Sequence, residues 1–135
     1  MAMIMYMGHV AITVKDMDRT IDFYAKLWFS VLTESEDLNK KVVFIGNGLT
    51  QLELFAFKNG NAKEAPPLKD DEIGIKHMAF HVDDLEGAIE GLKKKGIEFT
   101  SEITKKVTKN GKVSFIFFRD PNGTRLQLIQ GSYSR

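Results

Sequence analysis

All three histidines of the 135-residue chain lie in two stretches that are near copies of each other. His9-Val10-Ala11-Ile12-Thr13-Val14-Lys15-Asp16 and His77-Met78-Ala79-Phe80-His81-Val82-Asp83-Asp84 share the opening His, the Ala two residues on, the Val and the closing Asp. Both alternate as half-buried strands do, so His77, Ala79 and His81 share one face. A second pair of copies follows: Gln51-Leu52-Glu53-Leu54-Phe55 and Arg125-Leu126-Gln127-Leu128-Ile129. Glu53 and Gln127 stand between leucines that face a core, so both project onto the opposite face of their sheet. His9, Glu53, His77 and Gln127 are then paired positions of a twofold repeat. Two imidazoles, a carboxylate and an amide oxygen make an N2O2 donor set for one divalent ion such as Zn, Ni, Fe, Mn or Co. Four protein donors leave positions open for water or a substrate oxygen, as a Lewis-acid catalyst requires. Two residues are candidates for moving a proton: Glu53, and His81, which lies about 7 Å beyond His77 by strand rise.

The elements that must position these residues are legible in the spacing. The two histidine stretches lie 68 positions apart, half the length of the chain, which points to a duplicated unit. In the first copy, His9 to Val14 reads as a strand, and Asp16 or Asp18 caps a helix on which Met17, Ile21, Tyr24 and Trp28 recur at helical spacing, with Phe23 and Leu27 widening the stripe. Val31 to Thr33, Lys41 to Ile45 and Thr50 to Phe57 return to period two, with a turn at Gly46-Asn47-Gly48. The second copy repeats the order. His77 to Val82 is a strand, Asp84 caps a helix through Leu85, Ala88, Ile89 and Leu92, and Gly96 ends it. Strands are expected over 97–103, 112–119 and 124–130, with a turn at Asp120-Pro121-Asn122-Gly123. The order is βαβββ, twice: module one at about 8–58, a linker at about 59–73 and module two at about 74–131 of a single domain. The fold class is α+β. Met17, Ile21, Tyr24, Trp28 and the Phe115 to Phe117 region read as core or subunit contact.

Composition narrows the functions. With 43% hydrophobic residues the chain can build one compact core. Its 19 basic and 18 acidic residues give a net charge of +1 without long runs, so no basic face argues for nucleic acid. The absence of cysteine removes disulfides, thiolate nucleophiles and cysteine metal ligands, and fits a reducing cytoplasmic setting. Met1 to Met7 is apolar but has no basic n-region, and no stretch is long enough to span a membrane. A small-molecule substrate is the expected partner.

These motifs resemble those of the vicinal oxygen chelate superfamily, which includes glyoxalase I (lactoylglutathione lyase), methylmalonyl-CoA epimerase, fosfomycin-resistance enzymes, extradiol dioxygenases and bleomycin-binding proteins. The resemblance runs from about His9 to Gln130 and rests on Gly8-His9-Val-Ala-Ile-Thr-Val, Ile21-Asp22-Phe23-Tyr24, Gln51-Leu-Glu53-Leu-Phe, Lys76-His77-Met-Ala-Phe and Phe118-Arg119-Asp120-Pro121-Asn122-Gly123 leading into Leu126-Gln127-Leu128. It implies two βαβββ modules forming a curved, partly closed mixed sheet around a central cup. It implies a divalent metal on His9, Glu53, His77 and Gln127, and a homodimer. The activity implied is that of a metal-dependent lyase or isomerase of the glyoxalase I type, acting on a small carbonyl compound or its thiol adduct, with Glu53 or His81 moving the proton and Phe55 and Arg125 touching substrate. Two alternatives stand beside it: a bleomycin-resistance-type binding protein without catalysis, and a fosfomycin-resistance-type transferase or hydrolase. The chain departs from the metal-dependent pattern at Gln127, where those relatives place a glutamate; an amide oxygen can ligate but cannot take a proton.

Overall fold

The computed structural model describes residues 2–64 and 66–133, and the chain divides into two compact units that meet in sequence between Lys63 and Glu64. Each unit is βαβββ. The first runs β1 (Val10–Thr13), α1 (Met17–Ala25), β2 (Ser30–Glu36), β3 (Lys40–Asn47) and β4 (Thr50–Phe57). The second runs β5 (Met78–His81), α2 (Leu85–Lys94), β6 (Thr104–Thr108), β7 (Gly111–Arg119) and β8 (Arg125–Gly131). Their four-stranded sheets have the same strand order, β1-β4-β3-β2 and β5-β8-β7-β6. In each, the first and last strands are parallel and the other pairs antiparallel. This is the mixed-sheet α+β architecture that the sequence predicts.

Local chemistry explains the helices. Asp16, not Asp18, caps α1: its Oδ1 accepts the backbone N–H of Arg19 at 3.0 Å, and Asp84 does the same for Gly87 at 3.1 Å on α2. Thr20 Oγ1 donates to the Asp16 carbonyl at 2.8 Å, so this buried hydroxyl is satisfied. The buried stripes are Met17, Tyr24 and Leu27 in one unit and Leu85, Ile89 and Leu92 in the other. They cover the sheet faces that carry Leu52 and Leu54 on β4, and Leu126 and Leu128 on β8, all four buried. Each such side chain stabilises the fold by about 2 kcal/mol through burial alone.

The helix ends differ from expectation in one unit. On α2, Ile97 N–H donates to the Leu92 carbonyl and Gly96 N–H to that of Lys93, both at 3.0 Å, with Gly96 at φ 89°. That is a Schellman closure with glycine at the left-handed position. On α1 the same two bonds run from Phe29 to Tyr24 and from Trp28 to Ala25, so Trp28 takes the left-handed position at φ 64°. Trp28 therefore does not continue the buried stripe; its side chain is 66% exposed. The strand expected over 97–103 is also displaced. Ile97 is spent on closing the helix, Phe99 makes a single bridge to Phe118, and β6 forms at Thr104–Thr108. Among the described residues no helix is long and apolar enough to cross a membrane.

Candidate functional site

Strand register fixes what shares a face in each unit. In the first, Ala11 pairs with Glu53 across β1 and β4, and Phe44 pairs with Glu53 across β3 and β4. In the second, Ala79 pairs with Gln127, and Phe117 with Gln127. His9 and His77 each stand two residues before the alanine of their unit, immediately ahead of the strand. Each imidazole meets the phenylalanine of its unit edge-on: His9 on Phe44 at 5.2 Å and 79°, His77 on Phe117 at 5.2 Å and 76°. The two triplets His9, Phe44, Glu53 and His77, Phe117, Gln127 are thus one local structure made twice.

In the first unit His9 Nε2 lies 3.4 Å from Glu53 Oε1. The carboxylate is mostly buried and the imidazole partly exposed, so the pair opens outward from the sheet. Phe55 follows Glu53 on the same face and leans on Phe57 at 6.3 Å. Its counterpart by position in the second unit, Ile129, lines a cleft.

That cleft, of about 530 Å³, lies on the face of the second sheet opposite α2; its lining includes His77, His81, Gln127, Phe115, Phe117 and Tyr133. Its floor is apolar: Val113, Phe115 and Ile129 form a buried cluster with Phe117 packed against it. The Phe115 to Phe117 region is therefore both core and cleft wall. Gln127 is 7% exposed, a buried amide aimed at the cleft. His81 is exposed and shares the cleft with His77. Arg125 holds its guanidinium 3.8 Å over the Phe117 ring.

His77 is the most informative group. Its Nδ1 is buried and makes no hydrogen bond. An orphaned polar atom of this kind carries a desolvation cost and is a place where a ligand belongs. Burial holds the imidazole's pKa below its ordinary 6.5, and the positive charges of Arg125 and Lys76 push it the same way. His77 is then neutral at physiological pH, the form that ligates metal. Within each unit the donor chemistry is of the kind a borderline divalent ion takes: an imidazole with a carboxylate in the first, an imidazole with an amide oxygen in the second. Among the described residues no group of three or more His, Cys, Asp or Glu side chains gathers as a metal cage.

The sequence assigned no role of their own to Lys76, the chain neighbour of His77, or to Arg119, which pairs with Arg125 across β7 and β8. Their relevance depends on which residues the strand register sets side by side, which spacing along the chain does not reveal.

The comparisons with known proteins agree with the repeat. The model of the Glyoxalase/Bleomycin resistance protein/Dioxygenase superfamily matches residues 6–128. The chain is 34% identical over 126 residues to the YwkD protein of Bacillus subtilis, covering 90% of this chain and 94% of that one. It is 30% identical over 128 residues to the mitochondrial methylmalonyl-CoA epimerase of Homo sapiens, covering 92% of this chain and 73% of the other. Among solved structures, a glyoxalase family protein from Enterococcus faecalis superposes with a TM-score of 0.75 at 30% identity, over 92% of this chain and 96% of its own. With two βαβββ units, a histidine heading each and a family match across nearly the whole length, the chain belongs to the Glyoxalase/Bleomycin resistance protein/Dioxygenase superfamily.

Proposed function

We propose that the protein is a metal-dependent isomerase or lyase that moves a proton at a carbon next to a carbonyl, and that His9, Glu53, His77 and Gln127 are its metal ligands. The observation that carries this reading is the buried Nδ1 of His77, unpartnered on an imidazole kept neutral by burial. The likeness to methylmalonyl-CoA epimerase supports isomerisation of an acyl compound over other chemistries of the family. A bound divalent ion would polarise the substrate carbonyl and acidify the neighbouring C–H.

The remaining work falls to the chain's own residues. In this reading Glu53, whose carboxylate lies 3.4 Å from His9, accepts the carbon's proton and returns it. His81, on the exposed end of the cleft, is the alternative acceptor. Gln127 can hold an oxygen in place but takes no proton, so transfer belongs to the first unit's carboxylate or to His81. Phe115, Phe117 and Ile129 keep that side of the substrate away from water.

Elemental analysis of chelator-free protein, with His9→Ala and His77→Ala alongside, tests the ligand set: one metal equivalent in the wild type and its loss in both variants is expected. Exchange of the carbon-bound proton in heavy water then assigns the base. Glu53→Gln, assayed at saturating metal because it removes the one carboxylate of the ligand set, should slow exchange by about a hundredfold or more. Loss of exchange in His81→Ala instead, with Glu53→Gln active, would transfer the role to His81. A wild type that takes up no Zn, Ni, Mn or Co would sink the reading.

A further inference from the structure

The two units share a structure but not a charge. In the second unit Arg119 pairs directly with Arg125 across β7 and β8. Both lie in the alternation of Phe117 and Gln127, and so on the cleft face of the sheet. The register Met78 with Leu126 across β5 and β8, carried back one residue, sets His77 beside Arg125. Lys76 precedes His77, and its Nζ donates to the Lys69 carbonyl and lies 3.9 Å from the exposed Asp70. The corresponding positions of the first unit are Gly8, Gly46 and Gln51, with Gly46 paired to Gln51 as Arg119 is to Arg125. Three cations thus stand where the sister unit has no charge at all.

Like charges directly opposite each other on neighbouring strands repel. No carboxylate among the described residues forms an ion pair with Arg119 or Arg125. Asp120, next in sequence, is turned into its own loop, where Oδ1 accepts the N–H groups of Asn122 at 2.8 Å and Thr124 at 3.0 Å. The Arg125 guanidinium carbon lies 3.8 Å from the centre of the Phe117 ring, a cation–π contact that holds the group in place without using up its N–H donors. Lys76 is already engaged by Asp70 and the Lys69 carbonyl; Arg119 and Arg125, paired across the strands with no carboxylate on either and Arg125 held on Phe117 beside the candidate ligand His77, are a binding element for an anion.

We infer that Arg119 and Arg125 form an anion-recognition pair, its Arg125 end beside His77, that takes an oxyanion of the substrate, a carboxylate or a phosphoryl group. The assignment to substrate rests on the proposed function; the anion site itself does not. The arginine pair orients the oxyanion by charge-assisted, bidentate contacts.

The test uses the full chain after chelator treatment, so that metal plays no part. Malonate and inorganic phosphate are titrated in separate arms against chloride at matched ionic strength, with backbone and arginine side-chain NMR signals as the readout. Expected are saturable shifts at residues 77, 119 and 125 with either oxyanion and not with chloride, the tighter one naming the group as carboxylate or phosphoryl. Arg125→Gln, which installs the first unit's residue, should weaken binding by about tenfold or more. Exposed Arg119→Gln should weaken it too, and serves if the first variant does not fold. Both variants should still take up metal as the wild type does. Shifts no different from chloride, or affinity unchanged in the folded variants, would overturn the anion site. Loss of metal from the wild type with anion binding intact would overturn the proposed function alone.

Discussion

Gln127 holds in the second unit the place that Glu53 holds in the first: each pairs with a phenylalanine on the neighbouring antiparallel strand and with an alanine on the parallel one. The repeat therefore offers one carboxylate where it has room for two. Because Gln and Glu have nearly the same shape, Gln127→Glu adds a charge without disturbing the packing around Phe117. It should tighten binding of a divalent ion by about tenfold, read by competition against a chelator dye. Unchanged or weaker binding would remove Gln127 from the ligand set.

His77 gives a pH signature. Its folded pKa lies below the ordinary 6.5, so between the two values the unfolded chain binds the extra proton and the folded chain does not. Stability should therefore rise with pH through that window, level off above about 6.5, and fall on acidification. NMR titration of the His77 ring in metal-free protein should show the depressed value directly. Arg125→Gln removes one of the two charges that lower it and should bring it partway back, with burial holding the rest. A His77 that titrates at or above its ordinary value would contradict the buried, cation-flanked setting.

Trp28 occupies a left-handed position that its sister unit fills with Gly96. A side chain there costs about 1 kcal/mol relative to glycine. Trp28→Gly should therefore raise the melting temperature by several degrees, as a gain of that size does in a domain of this length. A lower melting temperature would show that the indole contributes more through its contacts than its backbone costs.

Much of this was legible in the chain because it is written twice. The histidine pair, the Asp16 and Asp84 caps and the Glu53 and Gln127 positions all repeat, and a feature found twice at matching spacing is hard to mistake. The failures were of another kind. Ile97 reads as the start of a strand by its β-branched character, but its N–H and side chain are taken by the helix closure. Trp28 fits the apolar period of α1 but falls three residues past its last helical residue, Ala25, where the backbone has turned left-handed. Arg119 and Arg125 are six positions apart on either side of a turn, and only the strand register shows that they face each other.

The repeat distance itself is uneven: 68 at the first strands and helix closures, 74 at the last strands. Four of the six extra residues lie in one hairpin, since Thr104 and Phe115 are the paired counterparts of Ser35 and Val42. The outer end of the β6–β7 hairpin has thus already absorbed a change of chain length while the rows bearing the histidines kept their register. It is the natural point at which to splice in a reporter or an affinity handle at little cost to chemistry.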